Sequence, residues 1–391
     1  MTPAERWLAL TLAAGPSGLR GARAALGEFG SPEAVLGAGA ELLESRCGLK
    51  PEQARRLANA DSPAFRIECR LVAEHGVRLV PWDDPAYPAA LRDLPSAPLL
   101  LYVQGTWPVE GSALAVVGTR LPTRYGEHMT RALIAAAARL EPSLTIVSGL
   151  ARGIDGIAHE AALDARLNTL AVLGNGLSRV YPPEHEALAA RVREHGALVS
   201  ELPMTAAPLP QHFPMRNRII AGLAKAVLIA EAGEQSGSLI TAGLAQAYGR
   251  ALLALPANAD QREGLGTNRL LQSGQARLVL EPADIVAALK GRPPEALAKG
   301  PARPARKRPS RKSRAAPAGG AAARSDAPLP AAPLPAGPAG RILGALRGGP
   351  QHPDELAQAA ALSIEQALGL LLELELSGEI VQTSEHTFAL P

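Results

Sequence analysis

Along the middle of the chain the apolar positions fall in short unbroken blocks, at 114–117, 144–147, 169–173, 197–199, 226–230, 251–255 and 276–280. The blocks start about 25 to 30 residues apart, the length of one strand, one helix and two short loops. Blocks that do not alternate belong to strands covered on both faces, as in a parallel sheet. The pattern therefore predicts an α/β fold: an extended Rossmann-like, doubly wound parallel sheet, with a further strand at 99–103. Several blocks empty into small residues, at Gly118, Ser148-Gly149, Gly174-Asn175-Gly176 and Ser200. In a doubly wound sheet such strand ends line one crevice, which suits a nucleotide or another phosphate-bearing ligand.

The pattern changes at both ends. Residues 1–65 read as short helices separated by Gly-containing turns, a small helical domain. Two of these turns, Gly15 to Arg23 and Cys47 to Arg55, have the shape of helix–hairpin–helix turns. Such a turn either points N–H groups at a DNA phosphate or simply packs two helices. Residues 66–290 form the Rossmann-like domain, entered through a connector at 66–108. Residues 291–338, rich in Pro, Ala and Gly, lack the apolar content to fold and read as an extended basic linker. Helical patterns at 341–347, 353–360 and 364–376, then strand patterns at 379–383 and 387–390, predict a winged-helix domain over 339–391. A DNA-reading third helix should be basic. This one carries Glu365, Glu373 and Glu375 without Lys or Arg, which favours a protein-contact or regulatory role.

Charge sharpens this division. The net +3 splits into about +8 over 291–338, about −5 over 339–391 and about zero over 1–290. A neutral body that binds nucleic acid has to gather its positive charge in a cleft. Cys47 and Cys69 have no paired spacing, and no run reaches the roughly 18 apolar residues of a membrane helix. A soluble cytoplasmic protein without membrane association is expected. No Cys/His spacing suits a metal, no cofactor is implied, and no nucleophile–base motif or carboxylate pair suggests catalysis.

The sharpest local signal runs from Ser148 to His159. The strand at 144–147 ends in Ser148-Gly149, Arg152 and Gly153 follow, and a helical pattern begins at once. Unpaired N–H groups at a helix start make a phosphate site. The alternative, that the glycines only permit a tight connection, stays open. Arg120, two residues after Gly118, is placed to grip phosphate with two parallel bonds or to form a surface ion pair. Arg216, Asn217 and Arg218 sit together just before an apolar helix at 219–223. At least one should meet DNA, and another could brace the loop. Phe213 is one of only twelve aromatic residues and offers either a stacking platform or a core anchor. Gly237, Ser238 and Thr241 mark another strand-to-helix junction with phosphate donors. Asp155 suits a cap and His159 a packing role.

These motifs, taken in order, resemble the DNA-processing protein A family (DprA, also called Smf). The match begins with Tyr87-Pro88, Pro98 to Tyr102 and Ala115-Val116-Val117-Gly118-Thr119-Arg120. It continues through the Ser148–His159 motif, Ala171-Val172-Leu173-Gly174, Tyr181-Pro182 and Ser200-Glu201. Phe213-Pro214-Met215-Arg216-Asn217-Arg218, Ser236-Gly237-Ser238-Leu239-Ile240-Thr241 and Gly266-Thr267-Asn268 complete it. The resemblance covers about residues 80–280. It implies a homodimeric, non-catalytic protein that binds and protects single-stranded DNA and helps load RecA recombinase during natural transformation. The implied DNA-binding positions are Gly118, Arg120, Ser148, Gly149, Arg152, Gly153, Gly174, Phe213, Arg216, Asn217, Arg218, Gly237, Ser238 and Thr241. Changing Arg120 and Arg216 to Ala is expected to weaken binding without unfolding the protein.

The chain departs from the family at Pro210, where lysine is frequent, at Gln235, where a basic residue is common, and at Ser178 and Ala257. A competing reading is a nucleotide-processing enzyme of the lysine-decarboxylase-like phosphoribohydrolase type. Its Pro-Gly-Gly-x-Gly-Thr turn is replaced here by Glu231-Ala232-Gly233-Glu234-Gln235-Ser236-Gly237-Ser238. A dinucleotide-dependent oxidoreductase would need Gly-x-Gly-x-x-Gly in the first strand–helix turn, which is absent.

Overall fold

A computed structural model describes residues 1–15, 19–94, 96–108, 111–291, 337–362, 364–376, 379–383 and 387–390. The expected linker at 291–338 lies almost wholly outside these residues, as do residues 16–18 of the first Gly-containing turn. Helices α1 (Pro3–Ala14), α2 (Leu19–Phe29), α3 (Pro32–Gly37), α4 (Ala40–Cys47), α5 (Pro51–Ala58) and α6 (Pro63–Glu74) open the chain. Thr2 and Glu5 form a capping box on α1, while Ser31 and Ser62 cap α3 and α6 ahead of a first-turn proline. Gly48, at φ +63°, ends α4 in the left-handed conformation and Pro51 opens α5, which makes the second Gly-containing turn tight. Trp7, Leu8, Leu10, Val35, Leu43 and Leu57 fill the core between these helices. Helix α6 runs past residue 65, and its buried Glu68 accepts a hydrogen bond from the Met204 N–H at 2.6 Å.

Among the described residues the sheet has nine strands. They are β1 (Arg78–Pro81), β2 (Leu100–Gly105), β3 (Ala113–Gly118), β4 (Thr145–Ser148), β5 (Asn168–Val172), β6 (Gly196–Ser200), β7 (Ala226–Glu231), β8 (Ala251–Ala254) and β9 (Arg277–Leu278). Their order is β1-β2-β6-β5-β4-β3-β7-β8-β9. From β6 to β9 every pairing is parallel, and β2 pairs antiparallel with both β6 and β1. Each apolar block of the sequence becomes a strand. The strand the pattern did not foresee is β1, four residues long inside the connector and exposed at Arg78.

The connecting helices are α7 (Ala89–Arg92), α8 (Arg124–Leu140), α9 (Ile154–Asp164), α10 (Glu186–Glu194), α11 (His212–Leu223), α12 (Ser238–Ala247), α13 (Leu265–Gln272) and α14 (Pro282–Leu289). Leu133, Ile134, Ile154 and Ile285 bring α8, α9 and α14 onto one face of the sheet. Ile219, Ile220, Leu239 and Leu270 bring α11, α12 and α13 onto the other. Burial on both sides explains the unbroken apolar blocks. From β3 the chain winds outward through β4, β5 and β6, then returns to β7 and winds the other way through β8 and β9. The switch point therefore lies between the carboxyl ends of β3 and β7, at Gly118 and Glu231, where doubly wound sheets bind ligands.

The C-terminal unit has helices α15 (Pro338–Leu346), α16 (Pro353–Ala360) and α17 (Ile364–Leu376), followed by the paired strands β10 (Val381–Gln382) and β11 (Phe388–Ala389). Ile342, Leu356, Leu371, Leu374, Ile380 and Phe388 form its own core. This is the three-helix and wing arrangement that the sequence predicts.

Candidate nucleic-acid groove

A groove of 860 Å³ opens at the switch point. Gly118 and Arg120 reach it from the β3–α8 loop, Phe213, Arg216 and Asn217 from α11, and Gly237, Ser238 and Thr241 from the start of α12. The remaining expected positions, Ser148, Gly149, Arg152, Gly153, Gly174 and Arg218, are not among its lining residues.

Backbone geometry holds Arg120 in place. The Thr119 N–H donates to the Glu231 carbonyl at 2.8 Å, and the Ile154 N–H donates to the Thr119 carbonyl at 3.1 Å. Buried Glu231 also accepts from the Thr123 N–H and hydroxyl at 2.8 and 2.7 Å, which pins the far end of the loop. Gly153, at φ +74°, packs so closely that a Cβ there would lie 2.7 Å from the Arg120 carbonyl carbon. The Arg120 side chain is exposed, and among the described residues no acidic group pairs with it. Its guanidinium lies 5.6 Å from the Phe213 ring centroid, within cation–π range.

Phe213 is half-buried and faces Tyr181, with ring centroids 5.8 Å apart. A Cβ on Gly174 would come 2.9 Å from Phe213 Cδ1, so this glycine makes room for the ring. Tyr181 also lines the groove and is exposed. Sequence reading noted it only as part of the family pattern, although an aromatic beside a strand-end glycine loop was the available signal. Glu231 and Arg262 were missed as site residues, Glu231 because a carboxylate at a phosphate site reads as repulsive. Here it turns inward onto Thr123.

The Arg216-Asn217-Arg218 trio is split. It lies inside α11 and not ahead of a helix beginning at 219, so successive side chains diverge by about 100°. Arg216 is buried under the groove floor and donates to the Gly149 carbonyl at 2.6 Å and to the Val172 carbonyl. Its Nε donates to Asn217 Oδ1 at 3.2 Å. Burial pulls its pKa down to about 10, with Asp155 opposing the shift and Arg120 adding to it, so it remains charged at neutral pH. Asp155 is pushed up by burial, against the pull of Arg216. Arg218 is buried on a different side, where it pairs with Glu201 and donates to the Ser96 carbonyl at 2.5 Å.

The Ser148 motif is structural at its first two residues. The Ser148 hydroxyl donates to the Val116 carbonyl at 2.6 Å, and the Gly149 N–H donates to Asp155 Oδ2 at 3.1 Å. Arg152 is exposed and pairs with Glu184 outside the groove. On the opposite wall the Ser236 and Ser238 hydroxyls lie 2.7 Å apart, and the buried Thr241 Oγ1 has no hydrogen-bond partner among the described residues. Pro210 and Gln235, the two positions where family members often carry a cation, both line the groove. Among the described residues its exposed cations without an acidic partner are Arg120 and Arg262. No described helix is long and apolar enough to cross a membrane.

The family model for DNA recombination-mediator protein A matches residues 78–290, and a DprA winged-helix model matches 325–385. The chain is 41% identical over 241 residues to protein Smf of Escherichia coli, covering 61% of this chain and 64% of that one. It is 37% identical over 221 residues to the DNA processing protein DprA of Bacillus subtilis, covering 56% and 73%. It spans 54% of protein Smf of Synechocystis. Among solved structures, DprA of Streptococcus pneumoniae superposes with a TM-score of 0.63 and 32% identity, covering 73% of this chain and 98% of that one. A Helicobacter pylori DNA processing protein A, whose structure was described for its single-stranded DNA binding mode, gives 0.50 and 30%, covering 55% and 96%. With the model match spanning more than half its length and every strand of the switch-point sheet inside that match, the chain belongs to the DNA recombination-mediator protein A family.

Proposed function

We propose that this chain binds single-stranded DNA in the switch-point groove, shields it, and passes it to a RecA-type recombinase, with no chemical step of its own. One observation carries the reading. Arg120, an exposed guanidinium with no acidic partner among the described residues, stands over the half-exposed ring of Phe213 beside a second aromatic, Tyr181. Unpaired bases need a π-face and a backbone cation close together, and a duplex hides its bases from such a platform. The similarity to the Helicobacter pylori protein supports the same ligand. Gly118, Asn217, Gly237, Ser238 and Thr241 line the path of the strand, Arg216 supplies charge from below, and Ser148, Gly149, Gly153 and Gly174 shape the loops. A cytoplasmic homodimer fits this role. The β9 edge, with Leu278 and the following Leu280 exposed, supports self-association.

Fluorescence anisotropy with matched single-stranded and duplex oligonucleotides tests the proposal. Single strands should bind more tightly, with affinity falling steeply as salt rises. Arg120→Ala should weaken single-strand binding about tenfold, the ~1.4 kcal/mol of one charge-assisted contact. Equal affinity for both DNA forms would overturn the reading. RecA filament growth on strands pre-coated with single-strand-binding protein, with and without this chain, tests the handover.

A further inference from the structure

Helix α17 has two committed faces. Leu371 and Leu374 turn into the core of the winged-helix unit, with Leu370 packed against it. Gln366, Gly369 and Glu373, spaced three and four apart and so on one stripe, turn instead onto the Rossmann-like unit. Gln366 Nε2 donates to Gln246 Oε1 at 2.8 Å. At Gly369 the two helices approach so closely that a Cβ would lie 3.2 Å from Gly243 C and Leu244 N. Buried Glu373 accepts from the Ser96 hydroxyl at 3.0 Å, and Tyr248 Oη lies 3.3 Å from that hydroxyl. Leu372 packs on the hydrophobic cluster that contains α12 residues Leu239 and Leu244.

The segment that receives Glu373 is held from several directions. Arg218 donates to the Ser96 carbonyl, Arg23 of α2 to the Ala97 carbonyl, and Tyr87 to the Pro98 carbonyl at 2.7 Å. Residues 96–98 are thus where the N-terminal helices, the sheet unit and the winged helix meet. A winged helix that reads duplex DNA must offer its third helix to the major groove, with donors for phosphates and base edges. In this chain that helix has no Lys or Arg, and the stripe centred on Gly369 is covered.

We propose that the winged-helix unit is an intrachain clasp, whose third helix takes α12 and the 96–98 segment of its own chain as its ligand in place of duplex DNA. Helix α12 is also the helix whose first turn brings Ser238 and Thr241 to the groove, so the clasp braces one groove wall from behind.

A cross-linking experiment on the full chain tests this without reference to single-strand binding. In a Cys47→Ser, Cys69→Ser background, Gln246→Cys and Gln366→Cys are bridged by a short bis-maleimide. The clasp predicts that most molecules form a product within one chain. A product joining two chains, or none, overturns it. Adding Gly369→Leu should cut the yield about fivefold or more through overpacking, while the melting transition of the sheet unit persists. An unchanged yield overturns the packing argument. The bridged protein should bind a short duplex no better than a chain lacking residues 337–391. A duplex affinity that depends on those residues and survives bridging overturns the proposal.

Discussion

Among single residues, Arg120 and Arg216 show how two guanidiniums at one groove do different work. Arg120 is solvated and Arg216 is enclosed, bonded to the Gly149 and Val172 carbonyls with Asp155 as its counter-charge. Removing Arg216 takes a donor from two carbonyls and the counter-charge from a buried carboxyl, a loss of about 3–5 kcal/mol. This burial argues against the expectation that Arg216, like Arg120, can be changed to Ala without unfolding the protein. Arg216→Ala should lower the denaturant midpoint markedly, whereas Arg120→Ala should leave stability within ~0.5 kcal/mol. His159 makes a second case. Thr169 donates to the Ile146 carbonyl and lies 2.7 Å from His159 Nδ1, so it accepts the Nδ1 proton, and Nε2 is buried without a partner among the described residues. Burial, with His185 and Arg216 nearby, holds its pKa down to about 3. A depressed histidine pKa means its contribution is full above the unfolded value of about 6.5 and is lost as pH falls toward 3. His159→Asn should be less stable at pH 7 and show a shallower loss between pH 6.5 and 4 in denaturant titrations.

At the level of elements, what was legible followed from burial. Strands covered on both faces leave continuous apolar blocks, and the winged-helix pattern gave α16 and α17 at the bounds the structure shows. Two features escaped because they depend on the paired element. Strand β1 exists through its pairing with β2, and four residues with an exposed arginine carry no periodic signal. The α11 start at His212 was hidden because Pro214 reads as a breaker, although it is tolerated in a first turn. That shift decides which way Arg216 and Arg218 point. The loops show the reverse lesson: their glycines were noticed as donors of N–H groups but serve largely as points of close approach. Gly153→Ala tests this. It adds a Cβ against the Arg120 backbone at a φ that costs an L-residue about 1–3 kcal/mol. Single-strand affinity should fall although Arg120 is intact. If Gly153 acts through the loop, the Gly153→Ala, Arg120→Ala double variant should bind no worse than Arg120→Ala alone. Additive losses in anisotropy measurements would mean that Gly153 reaches the DNA by another route.

For the molecule as a whole, the question is where binding energy resides. Every groove-lining residue lies between Val117 and Glu263, in a body whose net charge is near zero. The strongly basic stretch lies at 291–338, and the acidic unit beyond it turns a stripe of α17 onto α12. Deleting residues 291–391 therefore removes charge and a packing partner but no groove wall. Single-strand affinity at moderate salt should stay within about threefold, and the slope of log K against log salt should shrink by roughly 0.7 for each phosphate the basic stretch had touched. The truncated chain should also self-associate more, because the α12 surface under Gly369 and Leu372 is uncovered. Sedimentation and anisotropy on the same preparation separate these effects. A loss of a hundredfold or more, about 2.7 kcal/mol, would place the main DNA contact in the basic stretch and reduce the switch-point groove to a secondary site.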